Sequence, residues 1–110
     1  GGPNSWICFY FENHRIKMTH YTIKSGARGV NYENPKSWVI EGSNDNKMWE
    51  ILDEQRNNSN LNGKNLVHTF EIDKQKRKEY RYIRMKQTDK NWYNNDDLML
   101  FAFEIHGKLY

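Results

Sequence analysis

Short apolar segments separated by polar, asparagine-rich stretches recur along the whole chain, and several alternate apolar and polar residues. Alternation is typical of half-buried strands. Residues 18–24, for example, place Tyr21 and Ile23 on one face and polar residues on the other. No apolar repeat of 3.6 residues is long enough for more than a single helical turn, at residues 73–78. The pattern therefore predicts an all-β fold.

Composition agrees with strands and with one small domain. The chain has 110 residues, enough for one domain and too few for two. Only 36% are hydrophobic, but 15% are aromatic, and each buried aromatic side chain removes roughly 150–250 Å² from water. No apolar stretch approaches the ~20 residues that span a membrane. We expect residues 1–5 to be tag or boundary residues and 6–110 to be a single domain.

Seven segments are predicted to be strands of an antiparallel β-sandwich. They are residues 6–11, 18–24, 38–43, 48–53, 66–72, 80–87 and 98–106. The first is apolar throughout, which predicts a strand covered on both faces or a short buried segment, with Trp6 and Cys8 packed inside. The last is predicted to place Phe101, Phe103 and Ile105 on one face.

Strand reversal predicts which loops lie together. If every strand reverses direction, the long loops 25–37, 54–65 and 88–97 emerge at one end of the sandwich. The short turns at 12–17, 44–47 and 73–79 emerge at the other end. Loops held by a rigid scaffold are where binding residues concentrate, so the long-loop end is the predicted functional end.

Three ordered motifs resemble a known family. WVIEGSNDNKMWEIL resembles the W-x-x-x-G-S-x-D-G-x-x-W-x-x-L signature of F5/8 type C (discoidin-like) domains, YRYIRMKQT the strand that follows it, and FAFEIHG the closing strand. The resemblance implies a galactose-binding-like jelly-roll sandwich without its N-terminal strand. It also implies a non-catalytic binding module whose ligands are glycans, anionic phospholipid headgroups or protein segments. Trp38 and Trp49 fall at core positions of the family.

The N-terminal stretch of residues 5–26, SWICFYFENHRIKMTHYTIKSG, is similar to the intracellular branch of this family, which accompanies BTB and ubiquitin-ligase domains. The resemblance implies a larger multidomain chain. Cys8 is the only cysteine and no signal peptide is visible, so we expect an intracellular, cytoplasmic protein. Asn46 stands where the family turn has glycine. Asparagine fits this position because it accepts positive φ better than most residues.

The residues that could carry chemistry are sparse. Four histidines are present, with no pair at metal-ligand spacing and no nucleophile elbow, so we expect no enzyme, no metal and no cofactor. Asp45 and the run 94–97 offer oxygen ligands for a structural calcium ion, but adjacent residues cannot all converge on one ion. A solvated turn is the favoured interpretation of both.

Residues 74–90 hold eight basic residues against two acidic ones, interleaved with Tyr80 and Tyr82. Basic residues interleaved with aromatic ones are typical of a segment that binds anionic lipid or nucleic acid. Lys76, Arg77 and Lys78 form the candidate anion site, although they fall at the short-turn end. Membrane or nucleic-acid contact is therefore a minority alternative.

An aromatic pair, Trp92 and Tyr93, lies in a polar loop of the long-loop end, where it either packs on the sandwich or binds a ligand. The predicted ligand-binding rim comprises Arg28, Tyr32, Asn34, Asn58, Asn60, Trp92, Tyr93 and Asn94. A protein partner is the first prediction for this rim, since exposed aromatics act as interaction hot spots. A lectin-like carbohydrate site is the alternative, with Trp92 as its stacking face.

Overall fold

The computed structural model describes residues 4–110 as two antiparallel sheets packed face to face. The eight strands are β1 Trp6–Tyr10, β2 Ile16–Lys24, β3 Trp38–Ser43, β4 Glu50–Gln55, β5 Val67–Glu71, β6 Glu79–Tyr80, β7 Tyr82–Gln87 and β8 Ala102–Leu109. A single 3₁₀ turn spans Lys74–Lys76. The predicted antiparallel β-sandwich is confirmed. Within the described residues, no helix is long and apolar enough to cross a membrane.

The first sheet has the strand order β1-β7-β3-β4, and every pair in it is antiparallel. In the second sheet, β2 is central. It pairs with β8 along its whole length, and with β5 and then β6 on its other side. A bulge between Met18 and His20 shifts the register of β2 against β8.

The core lies between the sheets and is built by the alternation predicted from the sequence. Tyr21 and Ile23 of β2 are fully buried, and Trp38 opens β3 with no exposed surface. The Tyr21 hydroxyl donates to Asp53 Oδ2 at 2.6 Å and accepts from Trp38 Nε1 at 3.0 Å. Burial, reinforced by the carboxylate of Asp53, raises the pKa of Tyr21. This chain of bonds joins the two sheets through the core.

The apolar first segment is not covered on both faces, so that prediction is wrong. β1 pairs only with β7 among the described strands, and its residues alternate between half-buried and exposed. Trp6 is 57% exposed and Cys8 is exposed as well, while the half-buried Phe9 stacks on Phe103. The segment is an edge strand whose outward side chains happen to be apolar.

Most predicted strands agree with the structure to within two residues, and two differ by more. The predicted strand 80–87 is two strands in different sheets, because the chain crosses between sheets at Arg81. The last strand begins only at Ala102. Phe101 is therefore exposed beside Lys24, whose ammonium lies 4.8 Å from the ring centroid, and only Phe103 and Ile105 pack against the core.

The motif residues Gly42, Ser43 and Asp45 each have a structural role in the β3–β4 hairpin. Gly42 has no room for a side chain, since a Cβ there would lie 2.6 Å from the buried ring of Tyr80. Ser43 Oγ accepts from the amide of Asn46 at 3.0 Å, and Asp45 Oδ1 accepts from the amide of Met48 at 2.9 Å. Each motif residue thus fixes a step of the turn.

Asparagine supplies the left-handed backbone conformation in the turns. Among the described residues, the non-glycine positions with positive φ are all asparagines, namely Asn4, Asn31, Asn46, Asn57, Asn65 and Asn94. No described glycine has positive φ. Asn46 has φ of 60°, as predicted from its place in the hairpin. Asparagine tolerates this region better than most residues, which explains why it occupies these six positions.

Candidate binding surface on the long-loop rim

Three long loops meet at one end of the sandwich, as strand reversal predicts. We call residues 25–37 the first loop, 56–66 the second and 88–101 the third, and their shared end the rim. The amide of Asn31 donates to Asn62 Oδ1 at 2.8 Å, which ties the first loop to the second. The amide of Trp92 donates to the carbonyl of Asn34 at 3.2 Å, which ties the third loop to the first. The rim is thus one hydrogen-bonded unit.

A buried asparagine organises the third loop. Asn91 is 2% exposed, and its Oδ1 accepts from the amides of Tyr93 and Asn95 at 2.9 and 3.1 Å. Its Nδ2 donates to Asn95 Oδ1 at 2.6 Å and to the carbonyl of Asp97 at 2.9 Å. Every polar atom of this side chain is therefore used to hold the loop that carries Tyr93.

Asn34 does the same in the first loop. It is buried, and its Nδ2 donates to the carbonyl of Gly29 and to Asn62 Oδ1 at 3.0 and 3.3 Å. Asn34, predicted to line the binding rim, borders the small pocket beside Tyr32, although its amide nitrogen is used inside the loop. It positions the loop that presents Tyr32.

The exposed centre of the rim is an aromatic stack. The rings of Tyr32 and Tyr93 come from different loops, are 5° from parallel and have centroids 6.0 Å apart. The Arg28 guanidinium carbon lies 4.6 Å from the Tyr32 centroid. Tyr93 is 57% exposed, and Tyr32 is exposed as well. The structure thus brings together three of the predicted rim residues as a solvent-facing surface, which we call the tyrosine platform.

Trp92 lies beside the platform in a different environment. It is half-buried, its Nε1 donates to the carbonyl of Asn58 at 3.4 Å, and the Lys36 ammonium lies 4.9 Å from its ring centroid. Its indole bridges loops, which leaves Tyr93 as the more open ring of the pair.

Trp49 is expected in the core, but it is only half-buried and packs on the outside of the sandwich. The guanidinium carbon of Arg84 lies 3.8 Å from the centroid of its ring.

The remaining predicted rim residues are asparagines with mixed roles. Asn58 Nδ2 donates to Gln55 Oε1 at 2.9 Å, so Asn58 shapes the second loop. Asn60 is exposed and its Nδ2 lies 3.4 Å from His68 Nε2. Asn94 is exposed next to Tyr93 in the left-handed conformation. Asn60 and Asn94 therefore have side chains available to a ligand.

The candidate anion site does not form. Arg77 is paired with Glu71 at 3.1 Å and donates from Nε to the carbonyl of Ile72 at 2.9 Å. Lys78, which precedes β6, is paired with Glu50 of β4 at 3.3 Å. Only Lys76 has no ion-pair partner among the described residues. Arg77 and Lys78 are therefore paired with two different carboxylates. The three cationic side chains do not converge on one point, as an anion-binding site requires.

No metal cluster appears in residues 4–110, where no three His, Cys, Asp or Glu side chains converge. The histidines lie at the surface or on strand faces. His106 Nε2, for example, is 2.8 Å from Thr22 Oγ1 on the outer face of the second sheet. Asp45 is occupied by backbone amides in its turn, and these hydrogen bonds hold the pKa of its carboxyl below the usual range.

Sequence reasoning missed four residues that build the rim. Asn91 and Ser25 hold loops from within, and Glu33 and Met99 line a small pocket beside Tyr32. The composition of a loop does not reveal which of several asparagines points inward. The one feature of the sequence that could have identified Asn91 is its spacing from Asn95, because asparagine side chains in a turn hydrogen-bond to nearby residues of the same loop.

The comparisons with known proteins support the fold. No family model matches the chain, and no curated protein matches it. A fragment described as a chitobiase from Bacteroides thetaiotaomicron superposes with a TM-score of 0.68 at 16% identity, covering 97% of this chain and 62% of that one. The C-terminal domain of a chitobiase from Bacteroides fragilis superposes with a TM-score of 0.63 at 20% identity, covering 89% and 60%. The chain spans about three fifths of both structures.

Proposed function

We propose that this domain is a non-catalytic carbohydrate-binding module and that the tyrosine platform is its binding surface. The observation that carries the proposal is the near-parallel pair of exposed rings, Tyr32 and Tyr93, held by two separate loops. A pyranose ring has an apolar face of C–H groups, which gains free energy by covering an aromatic ring. The structurally similar domains come from proteins described as chitobiases, which favours a glycan as ligand.

The surroundings of the platform supply the polar part of such a site. Arg28 stands over Tyr32 with its side chain 67% exposed, so its N–H groups are available to sugar hydroxyls. Asn94 and Asn60 add exposed amides on the neighbouring loops. A few polar groups around an aromatic surface give orientation and specificity. Because these contacts are neutral or involve a single cation, we expect binding that depends little on salt.

A protein partner is the second candidate, and one observation favours it. Val30 and Met99 are exposed at the same end of the molecule as Tyr93. Several exposed apolar side chains at one end of a domain are typical of a protein interface. The sequence placed this function first. We now rank it second, because the neighbouring folds come from glycan-related proteins and the platform already accounts for the exposed rings.

The test is a titration of the ¹⁵N-labelled domain with neutral monosaccharides and short oligosaccharides, followed by NMR. We expect shifts confined to the amides around Tyr32 and Tyr93, and Tyr93→Ala should weaken binding about tenfold through the lost stacking. Tyr10→Ala is the matched control. Tyr10 is 55% exposed and also stacks on a tyrosine, Tyr82, but on β1 rather than on the rim.

The outcomes separate the two candidates. If no sugar shifts the rim amides, the carbohydrate proposal is wrong. If a purified partner protein binds wild type and not Tyr93→Ala, and excess sugar does not displace it, protein binding takes its place. If Tyr10→Ala is as impaired as Tyr93→Ala, the site lies elsewhere.

We further infer from the motifs that the chain is an F5/8 type C domain. The fixed roles of Gly42, Ser43 and Asp45 in the hairpin support this, because they explain why the motif needs those residue types. Cytoplasmic location, freedom from cofactors and a place in a larger chain remain predictions from the sequence.

A further inference from the structure

Strand β1 lies at one edge of the first sheet, and the hydrogen bonds at its two ends show which backbone groups face outward. The amide of Phe11 donates to the carbonyl of Arg81 at 2.8 Å, and the amide of Gln87 donates to the carbonyl of Ser5 at 2.8 Å. Bonded and non-bonded pairs alternate in an antiparallel ladder, so the odd-numbered residues of β1 bond to β7. The even-numbered residues therefore direct their N–H and C=O groups to the edge; they are Trp6, Cys8 and Tyr10.

The same three residues carry the exposed side chains of β1. Alternate residues of a strand lie on one face of the sheet, so Trp6, Cys8 and Tyr10 form a row along the edge with the small residue in the middle. A strand that paired with this edge would gain backbone hydrogen bonds and cross-strand side-chain contacts from the same three residues.

β1 differs from the other edge strands because it has no charged residue. Edge strands are commonly protected from pairing with another molecule by charges, proline or bulges. β4, at the opposite edge of the same sheet, has Glu50, Asp53 and Glu54 and a register shift against β3. In the second sheet, β5 and β6 each contain a glutamate, and β8 contains Glu104 and Lys108. Among the described edge strands, β1 alone has neither a charge, a proline nor a register shift.

A second copy of β1 fits this edge. Antiparallel pairing about a twofold axis at Cys8 places Cys8 opposite its own copy and Trp6 opposite Tyr10 of the second copy. Each of these pairs uses outward-facing N–H and C=O groups on both sides, so each exchanges two backbone hydrogen bonds. Trp–Tyr is a favourable cross-strand pair. Like charges do not meet, since Glu12 falls opposite Asn4 of the second copy.

We propose that the outer edge of β1 is a homodimer interface, in which two copies of β1 pair about a twofold axis at Cys8. The first sheets of the two molecules then join into one continuous sheet. Ser5 Oγ donates to the carbonyl of Asp96 at 2.8 Å, so β1 begins beside the third loop of the rim. Antiparallel pairing therefore directs the two rims to opposite ends of the dimer. A dimer of this shape would bridge two glycans; this consequence rests on the proposed function, whereas the dimer does not.

Sedimentation equilibrium of the domain in reducing buffer, over a series of protein concentrations, tests the proposal. We expect a reversible dimer that needs no disulfide, so Cys8→Ser should keep it. Cys8→Lys and Cys8→Asp each place two like charges opposite one another in the interface, and each should weaken dimerisation about tenfold. An equimolar mixture of these two variants should restore the dimer, because opposite charges then meet at the axis.

Cys8→Pro tests the backbone hydrogen bonds separately. The N–H that it removes faces the outer edge, so the ladder between β1 and β7 stays intact, as for prolines on natural edge strands. The variant should fold, as judged by its ¹⁵N NMR spectrum, and lose the dimer. Ile51→Lys is the matched control. Ile51 is exposed on β4, at the opposite edge of the same sheet, so this charge should leave the dimer unchanged.

The outcomes that overturn the proposal are distinct. A monomer at every concentration contradicts the interface itself. A dimer that persists in both Cys8→Lys and Cys8→Asp has its interface elsewhere. If the mixture of these folded variants stays monomeric, the axis does not lie at Cys8. Should Cys8→Pro not fold, the charge variants decide, because they keep every backbone group. Sugar binding at the rim is measured separately by the titration above, so either result there leaves these outcomes unchanged.

Discussion

The two ends of the sandwich are held by different kinds of interaction. At the rim, most hydrogen bonds that hold the loops from within come from the neutral amides of Asn91 and Asn34, beside the ion pairs Arg28–Glu33 and Lys90–Asp96. At the short-turn end, charged side chains hold the turns, as in the Asp45 turn and the Lys78–Glu50 pair. Long loops without strands need buried polar groups to satisfy their backbone. The comparison predicts that the hydrogen bonds of Asn91 and Asn34 depend less on pH and salt than the charged contacts of the opposite end do.

The strongest challenge to this comparison is Asn91→Ala. It removes four hydrogen bonds from a buried position, so we expect the free energy of unfolding to fall by about 3 kcal/mol. Sugar-induced shifts at Tyr93 should disappear with it. Urea denaturation measures the first effect and NMR the second.

Asn60→Ala is its control, because Asn60 is exposed in the second loop. Its effect should stay within about 0.5 kcal/mol, as for most surface substitutions. If Asn91→Ala is as mild as Asn60→Ala, the neutral network does not hold the rim.

The sequence predicts the sandwich and its loop ends better than it predicts the site. Alternation identifies Tyr21 and Ile23 as core, since period-two burial is local in sequence. The same reasoning fails for Trp6, because edge position depends on which strands pair. It also fails for Asn34, which looks like a surface residue until Asn62, far along the chain, is seen to receive its amide.

The second prediction concerns the opposite end, where Gly42→Ala should destabilise by about 2 kcal/mol. Its new Cβ would meet the buried ring of Tyr80 at 2.6 Å, so the ring has to shift, as in overpacked cores. Tyr80 also donates to Glu50 at 3.0 Å, and burial together with that carboxylate raises the pKa of Tyr80 to about 12. Urea denaturation measures the loss.

Gly29→Ala is the comparison variant, because a Cβ there meets nothing within 4 Å. It should leave stability nearly unchanged. Sugar-induced shifts at the rim should persist in Gly42→Ala. Their loss would mean that the two ends are coupled and that the comparison is wrong.

The third prediction uses pH to separate charged from neutral contacts. Hydrogen bonds from the amides of Met48 and Lys47 lower the pKa of Asp45. A carboxyl whose pKa is lower when folded stabilises the fold above its unfolded pKa, and this stabilisation is lost as pH falls through the folded pKa. Asp45→Asn should therefore melt below wild type at neutral pH and approach it in acid.

Thermal melts of both proteins between neutral pH and strong acid test this. Asn91→Ala should show a deficit that changes little over the same range, because its contacts carry no charge. A constant gap for Asp45→Asn would show that the charge of the turn does not matter.

The smallest expected effect is that of Lys78→Gln, which tests whether an exposed ion pair stabilises the short-turn end through its charge. Lys78 and Glu50 keep 61% and 59% of their side chains exposed, so water screens their attraction. Pairs of this kind contribute at most about 1 kcal/mol, and high salt weakens them further. Wild type and Lys78→Gln should differ slightly in low salt and converge in high salt when unfolded with urea, since urea carries no charge. A difference that survives high salt would mean that the aliphatic stem of Lys78, rather than its charge, stabilises this end.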